Sequence, residues 1–351
     1  MPITLMEKES REVPQLIARQ IAANAEVLLQ LSEKLRKTPP KYALTIGRGS
    51  SDHACTYAKY LLETNLGLIT ASAAPSVVTV YNAQLHMKDA LVIGVSQSGQ
   101  SPDICKMMEV ARNDGATTVA IVNETDSTLA KTAEFLVPMY AGKERAVAAT
   151  KSYIAALSAL AHLTAIYANN QKLLNDLKQL PELLTQTLSL DWTCAITEFK
   201  NINNTLVVAR GFGFPIAQEA ALKFKETSAI QAEAFSAAEI LHGPFALIKK
   251  NHPYLLFAQI DATLAGTLEL AKKITTLGGR VILAIAQNAP ITPTELKKIA
   301  ALILPLPHSL AAILDPIMTI QAFYPMVAQL AVARGFNPDS PENLQKVTET
   351  M

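Results

Sequence analysis

The sequence predicts an α/β protein of two tandem domains, each a parallel sheet flanked by helices. Three observations carry this. Short continuous apolar runs alternate with longer helical patterns, the runs fall into two matching sets, and the glycine turns of the sets keep one spacing. The first set is Tyr42–Gly47 (YALTIG), Ala90–Ser96 (ALVIGVS), Thr117–Asn123 (TTVAIVN) and Glu134–Met139 (EFLVPM). The second is Asn204–Arg210 (NTLVVAR), Tyr254–Ile260 (YLLFAQI), Arg280–Ala286 (RVILAIA) and Ala301–Leu306 (ALILPL). None alternates polar with apolar, which suits parallel strands covered on both faces. Helical patterns between the runs imply βαβ units. Arg48-Gly49 and Arg210-Gly211 lie 162 residues apart, as do Val119 and Val281. Two copies of one α/β domain are the simplest explanation.

The 351 residues exceed one ordinary core and fit this division. Residues 1–34 read as an added helical segment, with Leu16, Ile17, Ile21, Val27, Leu28 and Leu31 near helical spacing. Residues 35–175 form the first domain. A polar helical stretch from Asn170 to Phe199, with the only tryptophan, Trp192, close to its end, leads into the second domain at 195–340. Pro338 and Pro341 break the last helix, and residues 341–351 form a tail. There Lys346, between Leu344 and Val347, fits a tail pinned onto the body.

Half of the residues are hydrophobic, and the formal charge is +1. There is no basic stripe for nucleic acid. An N-terminus reading MPITLMEKESREV lacks the apolar core of a secretory signal. The most membrane-like stretch, Ser152–Ala168, is short, rich in alanine and serine, and carries His162, so it reads as a buried helix. Cys55, Cys105 and Cys194 show no paired spacing, which fits a reducing cytoplasm and no zinc site.

The run Ala90–Ser96 opens onto SQSGQS, placing Ser96, Gln97, Ser98, Gly99 and Ser101 beyond a strand end. Ligands of open parallel sheets bind there, and hydroxyls with free amides at a helix start suit an anion, most simply a phosphate. The competing reading is plain capping of the helix after Ser101-Pro102. GRGSSDHA, Gly47–Ala54, begins like a dinucleotide fingerprint but has Asp52 at the third glycine position. Through Ser50 and Ser51 it reads better as a second hydroxyl wall. In the second half the matching turn, ARGFGFP, carries phenylalanines where the first has serines, so its phosphate site is lost. In exchange Glu219, Lys223 and Glu226 share one helical face, either as a surface ion-pair stripe or as a proton-transfer group in an apolar setting. His242 sits in LHGP, on a turn. No histidine or carboxylate cluster suggests a metal.

Together these motifs resemble the sugar isomerase (SIS) domain family in its double-domain form. SQSGQSPD resembles that family's phosphate loop. GRGSSDHA, EAALKFKE, EAFSAAEILHGP and PENLQKVTE resemble, in order, the isomerase half of glucosamine-6-phosphate synthase, and GRGSSDHA is most like the stand-alone glucosamine-6-phosphate deaminases. The resemblance implies that Ser96, Ser98 and Ser101, with Gln97, Ser50 and Ser51, hold a sugar phosphate. It makes Glu226 the base moving a proton between C1 and C2, with Lys223 and Glu219 on the same face. It also implies ring opening by His242 from a neighbouring subunit, closure by Lys346, and a hexose pocket lined by Val147 and Thr150. The expected reaction converts glucosamine 6-phosphate to fructose 6-phosphate and ammonia, without metal or redox cofactor, in a homodimer with a shared site. The alternatives are a deglycase of fructosamine 6-phosphates and a non-catalytic phosphosugar sensor. The synthase's glutamine-hydrolysing domain has no counterpart in this sequence. Its loop cysteine is Arg48 here, a pocket serine is Ala149, and a histidine is Gln231.

Overall fold

The computed structural model describes residues 3–346. The chain divides into two compact units. One, called N-terminal here, comprises Glu12–Glu144, Lys151–Pro181 and residues 345–346. The other, C-terminal, comprises residues 3–11, Arg145–Thr150 and Glu182–Leu344.

Each unit is built on one parallel five-stranded sheet. In the N-terminal unit the strands are β1 (Tyr42–Ile46), β2 (Thr70–Ser72), β3 (Ala90–Ser96), β4 (Thr117–Val122) and β5 (Phe135–Pro138), in the order β2-β1-β3-β4-β5. The C-terminal unit has β6 (Asn204–Ala209), β7 (Gln231–Ser236), β8 (Pro253–Phe257), β9 (Arg280–Ala286) and β10 (Leu302–Leu306), in the order β10-β9-β8-β6-β7. The two orders are equivalent, as two copies of one fold require. β3 is buried at all seven positions and β8 at all five, which is why their sequences do not alternate. In each sheet the strand order reverses between the first and third strands, and the crevice beyond their carboxyl ends is where such sheets take ligands.

Sequence patterning shows four strands per unit, and the structure adds β2 and β7. Both are edge strands. β2 has only three residues, and β7 (QAEAFS) is mostly accessible, so neither carries the apolar run that marks a central strand.

The N-terminal segment also differs from the helix expected over 1–34. It forms two helices, Leu5–Arg11 and Val13–Lys37, the second with Pro14 in its first turn. Its buried stripe is Val13, Ile17, Gln20, Asn24, Leu28, Leu31 and Leu35, whereas Leu16, Ile21 and Val27 are only half-buried. The two amides are inside because they serve carbonyls there. Gln20 Nε2 donates to Met139 O (2.9 Å) and Ala155 O (2.8 Å), and Asn24 Nδ2 to Pro138 O (2.9 Å). An apolar side chain would remove these donors from Met139 O and Pro138 O at the end of β5.

The helix Lys151–Tyr167 is buried on every side from Lys151 to Ile166, as expected for a core helix. One helix of the described residues, Asp315–Ala333, is long and apolar enough to cross a membrane. Seventy-eight per cent of its most apolar window is buried inside the protein. Trp192 is buried in the C-terminal unit and donates Nε1 to Pro305 O at 3.0 Å.

Candidate active site

In the N-terminal unit the chain leaves β1 through Gly47, Arg48 and Gly49 and enters the helix Ser50–Leu66 at once. A side chain on Gly47 would lie 2.7 Å from the Ser51 backbone carbon, so only glycine lets the first turn fold back so closely. Ser50 and Ser51 therefore open the helix, half-buried, at the strand's carboxyl end.

β3 ends at Ser96, and the serine loop follows. Ser96 Oγ accepts the Gly99 amide at 2.9 Å, and the Gln97 carbonyl accepts the amides of Asn123 and Glu124 (both 3.3 Å). Gly99 has φ +61°, and a Cβ there would stand 2.1 Å from Ser127 Oγ. The loop is thus a fixed cradle. Gln97, Ser98 and Ser101 are partly accessible. Ser101 occupies the N-cap of the helix Pro102–Asn113, yet its hydroxyl accepts no helix amide. The capping reading therefore does not explain Ser101, and its oxygen is not engaged in closing the helix.

Sequence reasoning missed the connection between these loops. Arg48 Nε and Nη2 donate to Asp103 Oδ2 at 3.1 and 2.8 Å. Asp103 is 2 % exposed and lies in the first turn after the serine loop. Its place in SPD, just inside a helix start, was the available signal.

In the C-terminal unit the proton-transfer candidates lie on the helix Phe214–Ser228. Glu219 and Lys223 are fully buried, and the Glu226 side chain is 22 % exposed. Lys223 Nζ lies 3.2 Å from Glu219 Oε1 and 2.5 Å from Glu226 Oε2, and Tyr324 donates its hydroxyl to Glu219 Oε1 at 3.1 Å. Burial works against the Lys223 ammonium, but the Glu219 and Glu226 carboxylates outweigh it and hold its pKa above that of an ordinary lysine. The surface-stripe alternative is overturned: one carboxylate reaches the surface, backed by a buried cation and a second carboxylate. Tyr324 lies 98 positions beyond Glu226, within an apolar helix, and no local pattern marks it.

His242 ends a short 3-10 turn (Glu239–Leu241) and is exposed, with Gly243 at φ +129° immediately after it. The ring makes no hydrogen bond or ion pair among the described residues. Gln231 starts β7 and is exposed. Val147 is half-buried and donates its amide to Asp339 O at 3.0 Å, and Thr150 is fully buried.

Lys346 closes the described part of the chain in the N-terminal unit, and the rest of the expected tail, 347–351, lies outside the described residues. Lys346 Nζ contacts Glu144 Oε2 at 2.9 Å. The Glu144 side chain is fully buried and also takes the Ser152 amide (3.1 Å) and hydroxyl (2.7 Å). Glu144 is a third residue the sequence did not reveal: GKERA reads as an ordinary charged loop. No group of three or more histidine, cysteine or acidic side chains is placed to hold a metal among the described residues.

The SIS domain profile matches residues 38–166 and 198–333. Glutamine–fructose-6-phosphate aminotransferase (isomerizing) of Brucella melitensis biotype 1 is 30 % identical over 97 % of this chain. The match spans 58 % of that protein, so this chain covers little more than half the length of such relatives. A structure from Silicibacter pomeroyi DSS-3, provisionally assigned as a phosphosugar isomerase, superimposes with a TM-score of 0.89 at 37 % identity, covering 96 % of this chain and all of that one. The C-terminal domain of glucosamine-fructose-6-phosphate aminotransferase from Francisella tularensis gives 0.85 at 26 % identity, covering 96 % and 98 %.

Proposed function

This chain belongs to the SIS domain family, and on that premise we propose that it deaminates an amino-sugar phosphate, converting glucosamine 6-phosphate and water to fructose 6-phosphate and ammonia. The observation that carries the reading is the Glu219–Lys223–Glu226 group. A base must reach its substrate, and Glu226 is its accessible member, fixed at 2.5 Å by a lysine that cannot leave.

The serine loop, with Ser50 and Ser51, holds the phosphate through hydroxyls and amides at two helix starts. His242 assists ring opening, and its exposed turn suits delivery into the site of a second copy in a homodimer. Glu226 removes the C2 proton and returns it to C1, leaving the nitrogen at C2 as an imine. Water adds to that imine, and ammonia leaves. Lys346 closes over the sugar, and Val147 and Thr150 line the hexose pocket. No step calls for a metal or redox cofactor, and the reading assigns the reaction to the cytoplasm, in keeping with three cysteines that form no disulfide.

The test is ammonia release from purified protein given glucosamine 6-phosphate, with fructose 6-phosphate assayed in parallel. Equal amounts of both, without glutamine, support the reading. Fructosamine 6-phosphates are tested beside it, because Ala149 leaves more room than a serine. Turnover of those alone replaces the deaminase with a deglycase. Binding of phosphosugars without turnover of either leaves a sensor.

A further inference from the structure

Hydroxyls and amides can cradle a phosphate without reading its charge, and the two loops of the N-terminal unit contain one strong cation. Across residues 47–54 and 96–103, Arg48 is the sole lysine or arginine. Its guanidinium is not free to swing. Nε and Nη2 both rest on Asp103 Oδ2, whose partner oxygen Oδ1 accepts the Ile104 amide at 2.8 Å. That buried carboxylate spans from the helix after β3 to the turn after β1, so the guanidinium is fixed where the strand order reverses. The Arg48 side chain remains 49 % exposed, and Nη1 takes no partner among the described residues.

We infer that Arg48 is a specificity residue of the phosphate site, donating through Nη1 to the phosphate ester and selecting its dianion; this rests on the serine loop being that site. The planar fork of an arginine serves a carboxylate on one edge and a phosphate on the other, which a lysine cannot do. Asp103 gives the arrangement a second consequence. Without Arg48, a buried carboxylate would stand beside the incoming phosphate and repel it.

The experiment measures calorimetric binding of glucose 6-phosphate, a phosphohexose without the amino group, between pH 5.5 and 7.5. In the wild type, affinity rises as the ester loses its second proton, near pH ~6. Arg48→Ala is expected to weaken binding at pH 7.5 by roughly 10–100-fold and to abolish most of that rise. Arg48→Lys should recover part of the charge effect and less of the affinity. The double variant Arg48→Ala/Asp103→Asn separates contact from neutralisation: it stays weak if Nη1 holds the phosphate. Wild-type affinity in the double variant overturns the inference, because Arg48 then only cancels Asp103. Ser98→Ala is the control for the site itself. If Ser98→Ala weakens binding and Arg48→Ala does not, the inference alone fails. If neither does, the serine loop is not the phosphate site and both fall.

Discussion

The two units repeat one sheet order and one glycine turn, but they place different chemistry on it. Gly49 and Gly211 both have positive φ (54° and 59°) after the first strand of their sheets. The N-terminal unit follows that turn with Ser50 and Ser51, whereas the C-terminal unit has Phe212 and Gly213. At the spacing of the repeat, Ser96 and Ser98 correspond to Ala258 and Ile260, and Asp103 corresponds to Ala265. Arg210 keeps the basic position but is exposed and has no carboxylate at the Asp103 position. The helix after the turn changes in the opposite sense: Ser50–Leu66 is an ordinary amphipathic helix, and Phe214–Ser228 carries a buried ion-pair group. Backbone topology is thus retained because it rests on strand burial and turn geometry. The side chains at the carboxyl edge contribute little to that framework and can diverge.

The sharpest way to break this division of labour is Glu226→Gln, which should keep phosphosugar binding and lower turnover by about 10²–10⁴-fold. Turnover near that of the wild type in steady-state assays would remove Glu226 from the chemistry. Next, Lys223→Ala should destabilise the C-terminal unit by about 3–5 kcal/mol, because it leaves Glu219 buried without its cation. Urea denaturation measures this, and a loss under 1 kcal/mol would mean that Glu219 becomes neutral at little cost.

The units should also respond to pH with opposite signs. His162, in the buried helix of the N-terminal unit, has its pKa lowered to about 4 by burial. Between pH ~6.5 and ~4 the unfolded chain takes a proton that the folded one refuses, so this contribution to stability is lost as pH falls. Asp315, in the C-terminal unit, has its pKa raised to about 7 by burial, against the hydrogen bond from Ser309. Between pH ~4 and ~7 the folded state retains a proton that the unfolded one releases, so stability declines as pH rises. Each slope approaches about 1.4 kcal/mol per pH unit. Urea midpoints across pH 4–8 should lose the first slope in His162→Phe and the second in Asp315→Asn.

The smallest effects concern the turns. Gly99→Ala should cost about 1–3 kcal/mol and weaken phosphate binding, since it adds a collision with Ser127 to a left-handed backbone. Gly49→Ala has the backbone term alone, as nothing lies within 4 Å of its Cβ, and at φ +54°, ψ −129° should cost about 1–2 kcal/mol. Equal losses in thermal melts would show that the cradle around Gly99 yields more readily than its contacts suggest.

The α/β class, the duplication and the motif positions are legible in the amino-acid sequence, because parallel strands buried on both faces write continuous apolar runs and glycine turns write fixed spacings. Serines beyond Ala90–Ser96 and three charged residues at helical spacing were legible for the same reason: each is a local pattern. Which of those charges are buried, which helix stripe faces inward and what pairs with what follow from packing between distant segments. Gln20 and Asn24 replace Ile21 and Val27 inside because distant carbonyls need donors there. Asp103 meets Arg48, Tyr324 meets Glu219, and Glu144 meets Lys346 across 55, 105 and 202 residues of chain. Such pairs depend on where the strands and helices come to rest, and no short window of sequence contains both partners.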